Sequence, residues 1–202
     1  MVLAVLLRTM AKQLMRVVAI FAFLVCAGIP VQATILQQLT LDEMVQKSTS
    51  IVRARVTGSS EAARGGDVFT LYRIEMLEVL KSGPAVQEVA VPGGVAGGMR
   101  QVVEGAPTLH AGREYVLFLW TSRSGLTQLM GMSQGLFSVE RTTAGDRQAS
   151  RVVAGEQLLD AAGRPVRDET FSIPLTELKA KVSKSLAAAR AGFSASAAGA
   201  GK

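Results

Sequence analysis

The stretch Val68-Phe69-Thr70-Leu71-Tyr72-Arg73-Ile74-Glu75-Met76-Leu77-Glu78-Val79-Leu80 decides the fold. It is rich in β-branched and aromatic residues and contains neither Gly nor Pro, so it reads as one long strand. Side chains along a strand alternate between its faces. The inward set begins as Val68, Tyr72, Ile74 and Met76, then switches to Leu77 and Val79. A change of face within one strand implies a bulge or sharp bend. Small barrels need such bends so that one strand can serve both halves.

Outward from this strand the pattern stays β. Ile51–Thr57 alternates, with Val52, Ala54 and Val56 on one face and Arg53 and Arg55 on the other. Glu61–Asp67, holding Gly65-Gly66, is the turn between the two strands. Lys81-Ser82-Gly83-Pro84 forms the next turn, followed by a strand over Val86–Val91. The glycine-rich stretch Pro92-Gly93-Gly94-Val95-Ala96-Gly97-Gly98 reads as a loop, with a short extended piece at Met99–Val103 beyond it. Glu114–Trp120 sets Tyr115, Leu117 and Leu119 against Val116, Phe118 and Trp120, so it is expected to be central and covered on both faces. Leu126–Met132 and Leu136–Arg141 complete the main run of strands. A small hairpin is expected within Val152–Val166, turning at Asp160-Ala161-Ala162-Gly163.

Helices bracket these strands. Thr40-Leu41-Asp42-Glu43 has the form of a capping box, which predicts a short helix over Leu41–Lys47. Leu175, Leu178, Val182 and Leu186 recur at helical spacing, which predicts an amphipathic C-terminal helix. Beyond Arg190 the chain is Ala/Gly/Ser-rich, and residues 191–202 are expected to be a disordered tail. The expected class is therefore mainly β: a small, partly open, OB-like β-barrel with a short N-terminal helix and a C-terminal amphipathic helix, as one domain over residues 34–190.

Residues 1–33 are set apart. Arg8, Lys12 and Arg16 lead into the apolar run Val17–Ile29, then Pro30 and the small-residue site Val31-Gln32-Ala33. This is the layout of a signal peptide cleaved after Ala33, and it implies export to the periplasm or medium with no stable membrane span afterwards. Met10 or Met15 gives a more ordinary start than Met1. The sole cysteine, Cys26, falls in this leader, so the remaining chain cannot be a disulfide-stapled scaffold. Three of the 22 cations and none of the 16 acids also fall there, so the remainder carries +3 rather than +6. Its cations are scattered and its aromatics few, which argues against nucleic-acid binding.

Gly131-Met132-Ser133-Gln134-Gly135 fits the hydrolase pattern G-x-S-x-G, which places the serine on a strained strand-to-helix elbow. Here a strand follows the motif, and the only histidine, His110, precedes it. An α/β-hydrolase needs the histidine afterwards. A turn between two strands is the preferred reading, with a serine hydrolase using Ser133 and His110 as the alternative. No His/Asp/Glu cluster has metal-ligand spacing, and no cofactor is implied. Gly93–Gly98 lacks the P-loop lysine and the dinucleotide spacing. Gly93, Gly94, Gly97, Gly98 and His110 are instead expected to form a contact surface at the barrel rim.

Several motifs carry a resemblance: Leu39-Thr40-Leu41-Asp42-Glu43-Met44-Val45, Glu78-Val79-Leu80-Lys81-Ser82-Gly83, Val89-Ala90-Val91-Pro92-Gly93-Gly94 and Ala111-Gly112-Arg113-Glu114-Tyr115-Val116-Leu117-Phe118-Leu119. Over Leu39–Arg141 the chain resembles a group of uncharacterised exported bacterial proteins, some of them encoded beside or fused to metalloprotease domains. More distantly it is similar to the netrin-like OB-fold of the tissue inhibitors of metalloproteinases. Those inhibitors chelate the protease metal through a disulfide-held N-terminal cysteine. With no cysteine after residue 33, only the barrel architecture carries over. The resulting expectation is an exported, non-enzymatic binding module whose partner is a protein or small ligand outside the cytoplasm, with an exported protease as the partner class the resemblance implies.

Overall fold

The computed structural model describes residues 35–151, 157–166 and 171–199. The chain separates into two units, Met1–Gln32 and Ala33–Lys202. The first lies wholly outside the described residues, as do Cys26 and the expected cleavage site at Ala33.

The expected mainly β architecture is present. Strand β1 (Ile35–Gln37) leads to helix α1 (Leu41–Lys47), then to the long strands β2 (Ser50–Arg64) and β3 (Asp67–Lys81). Then follow β4 (Glu88–Pro92), β5 (Gly94–Ala96), β6 (Met99–Gln101), β7 (Glu114–Thr121) and β8 (Thr127–Leu129). A 3₁₀ turn at Met132–Gly135 precedes β9 (Leu136–Arg141) and β10 (Arg147–Arg151). The series closes with β11 (Gln157–Leu159), β12 (Pro165–Val166), β13 (Phe171–Pro174) and helix α2 (Leu175–Gly199).

The main sheet runs β13-β10-β9-β7-β2-β3-β4-β8, and β8 returns to pair with β7. Strands β7, β2, β3, β4 and β8 therefore form a ring. Its closure is narrow, because β4 meets β8 only at Ala90↔Gln128. The sheet is partly closed rather than a clean barrel.

Bends in β3 allow the closure. The β2–β3 register shifts between Ile51 and Val52, between Arg53 and Ala54, and between Val56 and Gly58. Val68 and Tyr72 are buried, Ile74 packs against the ring's interior cluster, and Leu80 packs under the helices. So the face does switch along this strand, by the bulges expected. The residues at the switch differ from expectation: Met76 and Val79 are 41% and 50% exposed. They sit between register shifts, where the local twist carries side chains away from either core.

Strand β7 is buried on both faces from Tyr115 to Leu119. Tyr115, Leu117 and Leu119 join Val52, Ala54 and Val89 inside the ring. Val116 and Phe118 join Ile51, Phe137, Leu178 and Val182 beneath the helices. Phe137 bridges Phe118 and Phe171, with ring centroids 5.5 and 6.1 Å away. The double coverage ends at Leu119, for Trp120 is 44% exposed.

Helix α1 has the bounds its capping box predicts. The Thr40 hydroxyl accepts from the Glu43 amide, and the Glu43 carboxylate accepts from the Thr40 amide at 2.9 Å. At its other end the Lys81 ammonium donates to the carbonyls of Val45, Gln46 and Ser48, filling acceptors that a helix C-terminus leaves open. Helix α2 begins where expected, but its backbone runs past Arg190 to Gly199, through alanine-rich sequence with high helix propensity. The expected small hairpin is β11–β12, which turns at Asp160 and gains a parallel neighbour in β1.

Candidate functional site

Gly93–Gly98 was expected as a loop and forms the start of a hairpin. Strands β5 and β6 pair through Gly94↔Gln101, Val95↔Arg100 and Ala96↔Met99. Gly97 and Gly98 have φ of +58° and +75°, the two left-handed residues a tight hairpin turn requires. A Cβ on either would meet nothing within 4 Å, so the tip stands in open space.

The base of this hairpin is fixed. The Gly93 amide donates to the Val68 carbonyl at 2.8 Å, and the Thr70 hydroxyl donates to the Gly93 carbonyl at 3.0 Å. The Gln101 side chain accepts from the Val68 amide at 2.7 Å. On this anchored hairpin Val95 and Met99 are 52% and 47% exposed, and Val102 just beyond is 75% exposed. These apolar residues were missed from the sequence. A Gly-Gly dipeptide flanked by short extended segments is the signal that marks them as a hairpin. The segment returning to β7 is pinned by buried Leu109 inside the ring, while His110 is exposed and its amide donates to the Tyr115 hydroxyl at 3.0 Å.

Ser133 lies in different surroundings. Strands β8 and β9 run in series along one edge of β7, pairing with Leu119–Thr121 and Glu114–Leu117 respectively. Gly131–Gly135 is the excursion between them, where the chain leaves the ring for the helix-covered part of the sheet. This replaces the simple hairpin turn expected there, since β8 and β9 pair with β7 rather than with each other. Gly131 and Met132 both take left-handed φ, +62° and +59°. Ser133 is buried, at 1% exposure.

Gln134 is fully buried. Its carbonyl accepts from the Leu39 amide at 2.7 Å, and its amide group donates to the Gln37 carbonyl at 3.0 Å. It thereby ties the strand joint to the segment between β1 and α1. A Cβ on Gly135 would stand 2.5 Å from the Met130 carbonyl oxygen, so the close turn excludes any side chain there.

A charged ladder crosses the outer face of β3, β2 and β7. Arg53 bonds Glu78 at 3.1 Å and Glu114 at 2.9 Å; Arg55 bonds Glu114 at 2.9 Å and Glu75 at 3.3 Å. Lys179 of α2 pairs with Glu78 and extends the ladder to the helix. The Lys179 hydrogen bond lowers the Glu78 pKa below the usual carboxylate value, against the upward pull of burial. For Glu114, burial pulls upward most, but the Arg55 hydrogen bond and the charges of Arg147 and Arg53 together outweigh it and lower the pKa.

Among the described residues no group of three or more His, Cys, Asp or Glu gathers to hold a metal, and no helix is long and apolar enough to cross a membrane. The chain matches no protein-family model and no curated protein sequence.

Proposed function

We propose that this chain is an exported, non-enzymatic interaction module that meets a protein partner through the β5–β6 hairpin. The observation that carries the reading is the exposure of Val95, Met99 and Val102 on and beside a hairpin whose base is hydrogen-bonded to β3. Surface apolar residues scattered singly need no explanation. Three within eight positions, on an anchored hairpin whose register sets Val95 and Met99 on opposite faces, suit a partner that closes around the hairpin with little ordering cost. The open space around Gly97 and Gly98 favours a macromolecular partner over an enclosed small molecule. An exported protease is the candidate partner that the sequence resemblance supplies.

The test is site-specific. Val95→Asp and Met99→Asp in the full chain are expected to abolish in-cell crosslinking to the partner while leaving the thermal midpoint unchanged. Retention of the same crosslinked product in both variants overturns the reading. The serine-hydrolase alternative draws no support from the buried position of Ser133. Labelling by a fluorophosphonate probe that disappears in Ser133→Ala would replace the binding-module proposal with that alternative.

A further inference from the structure

At the end of the charged ladder lies a cleft of about 550 Å³ lined by Arg55, Arg113, Glu114, Glu140, Arg141 and Arg147. Four arginines and two glutamates line it at the end of the sheet, and both carboxylates are engaged. Glu114 is shared by Arg53 and Arg55, and Glu140 accepts from Arg113 at 2.9 Å. Arg141 and Arg147 are directly opposed across β9 and β10. Among the described residues neither forms a salt bridge, although the charge of Arg147 is felt at Glu114. Like charges directly opposite in a sheet destabilise it.

The backbone that carries the pair is fixed by its turn. The Thr142 amide donates to the Asp146 carbonyl at 2.8 Å, and the Gly145 amide donates to the Thr142 carbonyl at 2.9 Å. The opposite wall is also fixed: the Gly112 amide donates to Val56, and the Val56 amide donates to the Arg113 carbonyl, at 2.8 and 3.1 Å. A cleft with fixed walls and an excess of forked donors suits an acceptor-rich anion.

We infer that this cleft binds a multiply charged oxyanion, a phosphate or sulfate group, between Arg141 and Arg147. The site is separate from the β5–β6 contact surface and stands whether or not that reading holds. An anion here relieves the repulsion between the opposed arginines and accepts hydrogen bonds from both.

The experiment is an amide chemical-shift titration of the full chain with inorganic phosphate and with sulfate, against chloride at matched ionic strength. Phosphate or sulfate is expected to shift amides of Gly112, Arg113 and Arg147, whereas chloride leaves them in place. Arg141→Gln and Arg147→Gln are each expected to weaken binding about tenfold, and Arg164→Gln, on the Asp160 turn outside the cleft's lining, to leave it unchanged. In chloride alone the first two variants are expected to melt higher than the parent, because one of two opposed charges is gone. A phosphate monoester that binds as well as the free ion assigns the group to a larger molecule, and binding of the free ion alone assigns the small anion. Equal shifts in chloride, or parent-like titration by both arginine variants, overturns the site.

Discussion

The two glycine-rich stretches, Gly93–Gly98 and Gly131–Gly135, look alike in the sequence and behave differently in the structure. In the first, glycine supplies a turn: Gly97 and Gly98 have left-handed φ and open space around them. In the second, Gly131 also turns left-handed, but Gly135 supplies room: it lies where any Cβ meets backbone oxygen. One stretch projects apolar side chains outward. The other buries Ser133 and Gln134 at the joint between two parts of the sheet. The motif with a catalytic pattern sits at a joint between two parts of the sheet, and the stretch with no recognisable motif carries the exposed apolar side chains on which the proposed contact rests.

The sharpest way to break this comparison is at Gln134. Gln134→Ala removes both hydrogen bonds that tie the joint to the N-terminal segment, orphaning the Leu39 amide and the Gln37 carbonyl and leaving a cavity. A loss of about 3 kcal/mol is expected by denaturant unfolding. An effect within about 0.5 kcal/mol would show that the joint is not held this way. Next comes Gly135→Ala, which forces a methyl against the Met130 carbonyl and is expected to cost about 2 kcal/mol.

At the hairpin the same kind of substitution is milder. Gly97→Ala meets no neighbour and bears only the left-handed backbone penalty, about 1 kcal/mol, which falls on the tip rather than on the global fold. Equal melting of Gly97→Ala and Gly135→Ala would erase the distinction between turn and joint.

A smaller effect separates the hairpin from the charged ladder. Glu78 and Glu114 have folded pKa values below their unfolded values. Their contribution is therefore present above the unfolded carboxylate pKa of about 4.3 and is lost as pH falls through the folded values. The loss is expected to stay under about 1 kcal/mol for each partly exposed pair. Amides near Lys179 should respond in this acid range while those of β5 and β6 stay still.

What was legible in the sequence was what neighbouring residues decide. Thr40 and Glu43 set the start of α1 because a capping box is local. The alternation of Arg53 and Arg55 marked an outward face, but their partners Glu75, Glu78 and Glu114 depend on strand register, which no local pattern contains. Strand β10 was missed because Arg147-Gln148-Ala149-Ser150-Arg151 is polar, and it is a strand only through β9 and β13 on either side. The role of Gln134 has no local signal, because its acceptor and donor lie far away in sequence at Gln37 and Leu39. The hairpin glycines were found without their meaning, since exposure of Val95 and Met99 follows only once β5 and β6 are seen to pair.

The β5–β6 hairpin is the proposed surface for a partner. The most direct measurement places a photoreactive amino acid at Val95, and separately at exposed Glu177 on α2, in the full chain expressed in cells. One discrete crosslinked protein from position 95, absent from position 177 and lost in Met99→Asp, is the predicted result. No adduct from position 95, or the same adducts from both positions, would contradict it.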